Sequence, residues 1–420
     1  MSFKIAIIGA GPAGCLLARL LAHKSSPSSV SDITIFEAES APDFRSQGGT
    51  LDLHEKTGQR ALREAGLWDE FAKHARYDGE AMKLADKKLL CYVSMGAGKK
   101  GNIGGRPEID RPVLRRMLFD SLGKEVVRWG YKVRGVEEVE GRMTVHSVNQ
   151  PSEGGFDLIV GADGTWSKTR TFVTDVKPFY SGIAGHAFNI PDAKTTQPEL
   201  YDLTNHGSLF AWTDGKTIMA QQQGDGAINV YAFGLRSEDW RKTCGYDVGD
   251  VEATKAACRT EYADWDPRLQ AFIQAAQGDA VLRELFMLPI GHSWPHKCGV
   301  TLVGDAAHTM TPFAGEGVNL AMEDCLELAA AILKSTSTKE LDTNVLDFEK
   351  DMFVRMEKTA QLTYDMMSAM MFVENSPRNG IEKYILRAAS DEVGWLGRMV
   401  LTPLVYAYFF VFKLIWKGKL

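Results

Sequence analysis

The chain has 420 residues, of which 45% are hydrophobic and 24% charged, and its formal net charge is -6 at pH 7. This length exceeds the ~250–300 residues at which one core usually divides, so we expect two domains with a large shared interior. The mixed, slightly acidic charge gives no basic surface for nucleic acid. Six widely spaced cysteines form no CxxC pair, which argues against a disulfide framework or a zinc site and indicates a reducing intracellular compartment.

The N-terminal stretch KIAIIGAGPAGCLLARLLA joins a buried strand, a glycine loop and a helix with apolar residues at helical spacing. In the loop, Gly9 permits a tight turn, Gly11 lets a pyrophosphate approach the backbone, and Gly14 lets helix and strand pack closely. A second strand, ITIFEA, ends at Glu37, whose carboxylate can bind the ribose hydroxyls of an adenosine. This order predicts a dinucleotide site. The alternative is a glycine turn in an α/β sheet without a ligand.

The glycine pattern occurs again at residues 96–101, but there it leads into NIGGRPEID, which cannot open a helix. We interpret this segment as a flexible hairpin or a lid. The chain is therefore expected to hold one dinucleotide permanently, and a second nucleotide would bind only briefly.

Two later strands end at polar turns. FDLIVGADGTWSKTR carries Asp163 and Gly164, and GVTLVGDAAHTMTPFAGEGVN carries Asp305 before a helix predicted from about Gly317. The carboxylate of Asp305 can bond a hydroxyl of a ribityl chain. These turns predict a flat cofactor that carries a polyol chain.

The segment after Asp305 contains Pro312, Gly315 and Gly317, which let backbone N–H groups face a ring or a phosphate without an intervening side chain. His308 in the same segment is expected to pack or to cap a helix. The alternative role, a catalytic base, is less common for a lone buried histidine.

Together these segments resemble the three fingerprints of the group A FAD-dependent monooxygenases, the p-hydroxybenzoate hydroxylase type. Within that group RSQGGTLDLHEKTGQRALREAGL, RPEIDRPVLRRML, WSKTRTFVTD and GDAAHTMTPFAGEGVN look most like the tetracycline-inactivating monooxygenases, from about residue 3 to about residue 365. The resemblance implies an α/β fold with a Rossmann-like FAD-binding domain of the glutathione reductase/p-hydroxybenzoate hydroxylase type, a β-rich substrate domain and a long C-terminal helix. It also implies noncovalent FAD, NADPH or NADH as a transient reductant, and O2.

The resemblance assigns FAD contacts to Arg45, Arg111 and Asp305 by their positions in the matching motifs. Both arginines suit phosphate or ring contacts by their chemistry as well, and surface ion pairs are the alternative. The complete predicted set of cofactor-binding residues is Gly9, Gly11, Pro12, Ala13, Gly14, Glu37, Arg45, Gly49, Arg111, Asp163, Gly164, Asp305, Pro312, Gly315, Gly317, Val318 and Asn319. No metal site is predicted.

The substrate domain departs from the tetracycline-modifying members, which hold the drug with long polar side chains. At the places aligned with those side chains, this sequence has Ala187, Ser208 and Asn229. Tetracycline is therefore not expected as substrate, and a more apolar pocket is predicted. Its other expected residues are Phe210, Met219, Tyr231 and Phe313, each of which could equally belong to the core of the sheet.

The pattern predicts a discontinuous FAD-binding domain over residues 1–175 and 288–344. Residues 176–287 read as an antiparallel sheet with two following helices, the second opened by Pro267. Residues 345–375 have helical spacing and a stripe of methionines, which predicts a helix packed between the domains whose end could adapt to a bulky ligand. Residues 376–420 form an apolar extension.

The expected mechanism assigns no catalytic residue to the protein, because the reduced flavin would react with oxygen to give a C4a-hydroperoxide that delivers one oxygen atom. Hydroxylation, epoxidation and Baeyer–Villiger insertion all fit, on an apolar and polycyclic molecule of secondary metabolism or xenobiotic modification. Two alternatives stay open: a flavin oxidase, dehydrogenase or cyclase that inserts no oxygen, and a non-catalytic flavoprotein recruited to a membrane. A monomer is expected.

The C-terminal stretch RMVLTPLVYAYFFVFKLIWKGKL has an uncharged run of 14 residues between Arg398 and Lys413. That is shorter than the ~20 residues a spanning helix needs, and Pro403 is expected to interrupt its first turn. Residues 398–420 either fold back over the substrate domain or associate with a membrane surface, where the lysines and the aromatic residues would suit anionic headgroups.

Overall fold

The structure is a computed structural model that describes residues 2–24, 32–42, 48–96, 105–123, 125–390 and 393–415. Arg45 and residues 97–101 of the predicted hairpin or lid lie outside these ranges. The strands are β1 (Lys4–Ile8), β2 (Asp32–Phe36), β3 (Thr50–Asp52), β4 (Met82–Ala85), β5 (Cys91–Met95), β6 (Glu108–Asp110), β7 (Val127–Arg128), β8 (Val133–Val139), β9 (Arg142–Ser147), β10 (Glu153–Phe156), β11 (Leu158–Gly161), β12 (Phe179–Ile190), β13 (Ser208–Thr213), β14 (Lys216–Gln222), β15 (Ile228–Leu235), β16 (Gln277–Met287) and β17 (Val300–Leu302).

The α-helices are α1 (Pro12–Lys24), α2 (Arg60–Glu64), α3 (Trp68–His74), α4 (Arg111–Asp120), α5 (Arg170–Val173), α6 (Ala193–Thr196), α7 (Pro198–Thr204), α8 (Trp240–Thr243), α9 (Val251–Glu261), α10 (Pro267–Gln274), α11 (Asp305–His308), α12 (Gly317–Leu333), α13 (Thr338–Met371), α14 (Ile381–Ala388) and α15 (Trp395–Ile415). Short turns of other helix types cover Glu55–Gln59, Asp78–Glu80 and Pro312–Ala314.

A parallel sheet in the order β17-β11-β1-β2-β7 forms the first core. The strands β1, β11 and β17 are short, largely buried apolar runs, as expected for parallel strands covered by helices. Helices α1 and α12 pack on the sheet, and β8–β10 add a small antiparallel sheet to the same core. This arrangement confirms the α/β fold class and brings the glycine loop, the Asp163 turn and the Asp305 turn to one edge.

A second sheet has seven strands in the order β16-β12-β15-β14-β13-β4-β5. Its pairs are antiparallel except for β13 with β4, which are parallel. The predicted boundary at residue 176 needs a correction, because β4 and β5 come from the range assigned to the FAD-binding domain. A boundary drawn along the sequence missed them because β4 and β5 form a local pair that joins this sheet only through β13, more than a hundred residues away.

Helix α13 joins the two cores. Its first half carries Val345, Phe348 and Met352 into the core of the parallel sheet, and its second half carries Met366 and Met370 into a cluster against the seven-stranded sheet. The helix begins at Thr338, where Ser337 caps it, and so starts earlier than the predicted residue 345.

The expected interruption at Pro403 is wrong, because α15 continues from Trp395 through Pro403 to Ile415. A proline removes one backbone hydrogen bond, but its fixed φ is compatible with a helix. Phe409 and Phe412 of this helix are buried against the substrate-domain cluster, whereas most of its other apolar side chains are exposed.

Candidate functional site

The glycine loop lies between β1 and α1. Gly9 has φ 108°, and a Cβ there would stand 2.5 Å from the Ala162 oxygen. A Cβ on Gly14 would stand 2.0 Å from the Gly9 oxygen, so packing alone requires both glycines. A Cβ on Gly11, by contrast, would meet no atom of the described chain within 4 Å. Packing gives no reason for a glycine here, whereas the close approach of a pyrophosphate does.

Glu37 follows β2, and its carboxylate lies at the glycine loop. Oε2 accepts a hydrogen bond from the Ala10 N–H at 2.7 Å, and Oε1 accepts one from the Glu39 N–H at 2.9 Å. Each carboxylate oxygen keeps further acceptor capacity for a ribose hydroxyl. The geometry fits the predicted adenosine contact.

Arg115 of α4 is a residue that sequence reasoning missed. Its side chain donates to the Ala10 oxygen at 3.3 Å and to the Glu39 carboxylate at 2.7 Å. A guanidinium therefore lies beside the loop that is suited to a pyrophosphate. The available signal was its place in RPVLRRML, one helical turn after Arg111, which puts both arginines on one face of the helix.

The turn after β11 is ordered by its own aspartate. The Asp163 carboxylate accepts hydrogen bonds from Ser167 Oγ at 2.5 Å, Lys168 N at 2.8 Å and Thr169 N at 3.1 Å. Asp163 also lines the cavity that contains Asp305, so its predicted cofactor contact stays a prediction. Asp163 shapes the backbone around Gly164, whose φ is 75°.

Arg170 connects this turn to the next one. Its buried side chain donates from Nε to the Ala306 oxygen at 2.8 Å and from a terminal nitrogen to the Thr165 oxygen at 2.8 Å. Carbonyl oxygens of two separate loops thus converge on one guanidinium. The sequence places Arg170 after Asp163 but does not show this role.

Asp305 opens α11, and its side chain is exposed although the three residues after it are buried. It lines a cavity of about 380 Å³ together with Thr165, Trp166 and Met310. The carboxylate is therefore free to meet a ligand at this edge of the parallel sheet, as the predicted ribityl contact requires.

His308 packs, as expected, but its partner is a carboxylate. His308 Nε2 lies 2.6 Å from Asp324 Oδ2, and both side chains are almost completely buried. Asp324 also accepts hydrogen bonds from the Gly304 N–H and from Arg355. The histidine therefore supports the turn around Asp305 and faces away from solvent.

The predicted ring contact is the turn Pro312–Ala314, closed by Gly315 with φ 71°, and this segment is called the ring turn below. The Ala314 N–H donates to Thr363 Oγ1 at 3.1 Å, and this hydroxyl donates to the Thr311 oxygen at 2.8 Å. Thr363 of α13 thereby fixes the turn. Pro312 and Gly315 themselves are exposed and can contact a ligand.

Asn319 was predicted to bind the cofactor, but its amide is used inside the protein. Oδ1 accepts from the His54 N–H and Nδ2 donates to the Asp52 oxygen, each at 2.9 Å. The side chain of Asn319 therefore links α12 to the chain at the end of β3, and its predicted cofactor contact stays a prediction. Gly317 and Val318 begin α12 beside it, and a Cβ on Gly317 would meet no described atom within 4 Å.

Asp52, His54 and Glu316 border the ring turn and were missed. Asp52 Oδ2 lies 3.0 Å from His54 Nε2, and Glu316 Oε2 lies 3.5 Å from His54 Nδ1. Asp52 Oδ1 lies 3.4 Å from the position of a Cβ on Gly315. The signal was the polar alternation in GGTLDLH, which precedes a helical turn.

The register of the seven-stranded sheet brings the predicted substrate residues together. One row across β12, β15, β14 and β13 is Ala187, Tyr231, Met219 and Phe210. The next row, two residues further along or back on each strand, is Asn189, Asn229, Gln221 and Ser208. Because side chains two residues apart on a strand share a face, both rows lie on one face of the sheet. Phe313 of the ring turn joins the apolar cluster on this face.

The second of these rows, which consists of polar side chains, contacts the Gly48–Gly49 segment. Asn229 Nδ2 donates to the Gly48 oxygen at 3.1 Å, and a Cβ on Gly49 would stand 2.4 Å from Gln221 Oε1. The predicted substrate contact of Asn229 therefore needs a correction, since its amide holds backbone. Ser208, at 3.4 Å from the Gln221 amide nitrogen, is likewise buried.

Arg111 and Tyr231 meet at the same segment. The Arg111 side chain approaches within 3.8 Å of the position of a Cβ on Gly48 and is exposed. Burial raises the pKa of the Tyr231 hydroxyl, although the Arg111 guanidinium opposes this. A cationic group and a phenol thus lie where the two domains meet.

This donor set fits FAD: a glycine loop with open space at Gly11, a ribose-type carboxylate at Glu37, and an exposed carboxylate at Asp305 next to a glycine-lined turn. A family model described as "FAD binding domain" matches residues 2–206 and 292–347, more than half of the chain. Monooxygenase penA of Penicillium thymicola is 31% identical over 418 residues, covering 86% of this chain and 94% of that protein.

Solved structures share the fold. Klebsiella pneumoniae HpxO in complex with FAD and uric acid superposes with a TM-score of 0.73 at 19% identity, over 96% of this chain and 97% of that one. The tetracycline destructase Tet(51) superposes with a TM-score of 0.67 at 19% identity, over 96% and 99%.

The chain belongs to the FAD-binding family of p-hydroxybenzoate hydroxylase-type monooxygenases. It is an FAD-dependent monooxygenase that uses NAD(P)H and O2, which confirms the resemblance, the cofactors and the class of reaction. Its reaction partner is a small molecule.

Proposed function

We propose that the enzyme inserts one oxygen atom into an apolar, polycyclic small molecule of secondary metabolism or xenobiotic modification, and that it does so as a monomer. The observation that carries this proposal is the row Ala187, Tyr231, Met219 and Phe210, whose members are half-buried and share a face with the ring turn's Phe313. A flat, apolar surface of this kind suits stacked rings, and buried donors for a polar substrate are engaged elsewhere.

The cofactor is proposed to run along one edge of the parallel sheet. The adenosine end would lie at the glycine loop and Glu37, with Arg115 and the N-terminus of α1 facing the pyrophosphate. Asp305 would bind the ribityl chain, and Pro312, Phe313 and Gly315 would lie against the ring. The ring would then face the apolar row of the second sheet.

Bound FAD, reduced by NADPH or NADH, supplies the electrons and the activation of O2. The protein's own residues position the substrate and the cofactor and exclude water from the site. The apolar row and the α13 methionines keep water from the substrate, and Thr363 fixes the ring turn. Asp52, His54 and Glu316 place polar side chains beside that turn. Hydroxylation, epoxidation and Baeyer–Villiger insertion place the same demands on these residues.

We also propose that the enzyme works at a membrane surface. The helix α15 is long and apolar enough to interact with a bilayer, and only 6% of its most apolar stretch is buried within the protein. This observation favours membrane association of the C-terminal segment over complete packing against the substrate domain.

The test is incubation of the holoenzyme with NADPH and a panel of polycyclic natural products, followed by mass spectrometry for a gain of one oxygen atom. Phe210→Ala should raise KM about tenfold for an accepted substrate, since about 1.4 kcal/mol of ring contact is lost. The matched control is Phe179→Ala, an exposed phenylalanine of β12. Equal KM values for both variants would contradict the placement of the substrate.

A further inference from the structure

Helix α15 presents an apolar outer face that nothing in the described chain covers. Its members are each at least 51% exposed: Leu396, Met399, Val400, Leu404, Phe410 and Val411. Monomeric soluble proteins rarely expose an apolar patch of this extent. A core helix would be buried, so α15 is not one.

The inner stripe of α15 has the opposite character. Arg398, Thr402, Val405 and Phe409 follow each other at helical spacing, so they share one face. The charged side chains Arg398 and Lys413 thus lie on or beside the protein-facing side. The outer face carries none.

The C-terminal half of α15 is fixed to the protein. Phe412 packs on Tyr92 of β5 with ring centroids 5.3 Å apart, and Phe409 is buried beside it. Lys413 Nζ lies 2.6 Å from Glu382 of α14, and the Lys413 oxygen accepts a hydrogen bond from Arg378 at 3.0 Å. These contacts hold residues 405–413 against the substrate domain.

This docking excludes a transmembrane orientation. A spanning helix needs about 20 residues in the hydrocarbon core. In the described part of α15, residues 395–404 precede these contacts, and they extend about 15 Å at 1.5 Å per residue. A helix that packs on its own domain along one side can contact a bilayer only with the other side.

The charges favour an anionic surface. From residue 393 onward the sequence contains no aspartate or glutamate, although the whole chain has a net charge of -6. Besides Lys413, which is paired with Glu382, this stretch contains the basic residues Arg398, Lys417 and Lys419. Tyr406 and Tyr408 are exposed, and such amphipathic rings prefer the headgroup region.

We propose that α15 lies flat in the interface of an anionic bilayer, with its outer face among the acyl chains and its inner stripe carrying the enzyme. This deepens the proposed membrane association and is independent of the oxygenation reaction, so either can fail alone. The substrate domain is then held at the bilayer, because Val405 and Phe409 of the inner stripe belong to the same apolar cluster as Phe210, Met219 and Tyr231. A substrate that partitions into the lipid is the class this placement favours.

The first experiment is flotation of the full-length holoenzyme with vesicles of phosphatidylcholine alone or with about a quarter phosphatidylserine. The double variant Leu404→Glu/Phe410→Glu should float at least tenfold less than wild type with the anionic vesicles. Val354→Glu, at an apolar position of α13 that is 70% exposed, is the matched control and should float like wild type. Bound FAD and melting temperature are measured for each, to show that the variants are folded.

A wild-type protein that stays with neither vesicle, or a double variant that floats like wild type, would overturn the proposal. So would a dimer in the absence of lipid that the double variant breaks, because the outer face would then bind a second copy.

A second measurement decides the orientation. A fluorophore is attached at Met399→Cys or Phe410→Cys in a Cys298→Ser background, which removes an exposed thiol. A flat helix places both probes at the same shallow depth. Lipids that carry a quencher near the headgroup should therefore quench the fluorescence of both probes equally. A transmembrane helix would separate them by about 16 Å along the membrane normal, and unequal quenching would refute the flat orientation.

Discussion

Asp324 and His308 form a buried pair, with 2.6 Å between Asp324 Oδ2 and His308 Nε2, directly behind the turn that carries Asp305. Arg355 completes the charge balance at 3.2 Å from the other Asp324 oxygen. Asp324→Ala should therefore lower the free energy of unfolding by about 3–5 kcal/mol, because it leaves buried partners unpaired. Denaturant unfolding of the apoprotein measures this change.

The same pair predicts that His308→Gln lowers stability but keeps turnover per bound FAD. A folded His308→Gln enzyme with full FAD and no turnover would show that the histidine takes part in the chemistry, against the structural role described here.

Gly11 and Gly14 should respond differently to substitution. Gly11→Val places a Cβ where no described atom lies within 4 Å, so the apoprotein should unfold within about 0.5 kcal/mol of wild type while FAD binding is lost. Gly14→Ala places a Cβ 2.0 Å from the Gly9 oxygen and should cost about 1–3 kcal/mol through overpacking. Calorimetry of the apoproteins and the flavin absorbance of the purified variants separate the two effects. Full flavin in Gly11→Val would mean that the site is elsewhere.

Asp305 and Asp163 make a second informative comparison. Asp305→Ala removes an exposed carboxylate and should weaken FAD binding roughly ten- to hundredfold, since a hydrogen bond to a charged group is worth about 1.5–3 kcal/mol. Asp163→Ala removes four hydrogen bonds that order its own turn and should lower the melting temperature more than Asp305→Ala does. Titration of the apoproteins with FAD gives the affinities. Unchanged affinity in Asp305→Ala would contradict the ribityl contact.

Glu108 makes stability depend on pH. Burial raises the pKa of its carboxyl to about 7, although Thr50 and Arg76 stabilise the charged form. The folded protein therefore holds this proton more tightly than the unfolded chain, whose value is near 4.5. The contribution is present below that value and is lost as the pH rises through about 7.

We expect Glu108→Gln to flatten the fall in melting temperature between pH 5 and pH 8. The control is Glu64→Gln at the surface, where the hydrogen bond from Lys24 lowers the pKa of the carboxyl; Glu64 therefore stays charged from pH 5 to pH 8, and this variant should leave the slope unchanged. Identical pH dependence in wild type and Glu108→Gln would show that Glu108 is not buried as described.

The sequence was sufficient where function depends on local pattern. The strand, glycine loop and helix around Gly9, Gly11 and Gly14 follow from period and spacing, and Glu37 follows from the end of the next strand. The shared face of Ala187, Phe210, Met219 and Tyr231 could be expected only through the resemblance, because the alternation of one strand does not reveal its register with another.

Long-range contacts account for what was missed. The engagement of Asn319 with the chain at Asp52 and His54 joins residues about 265 positions apart, and no local signal predicts it. The hydrogen bonds of Asp163 lie within six residues, but the motif alone does not show which backbone groups it would hold. The strands β4 and β5 join a sheet whose other members begin at Phe179, a pairing that depends on tertiary packing.

Oxygen-18 incorporation tests the central claim most directly. The holoenzyme is incubated with NADPH, oxygen-18 gas and an accepted polycyclic substrate, and the product is analysed by mass spectrometry. The account predicts a product that is heavier by one oxygen-18 atom, because the inserted atom comes from O2. A product that is dehydrogenated or cyclised and carries no oxygen-18 would contradict it.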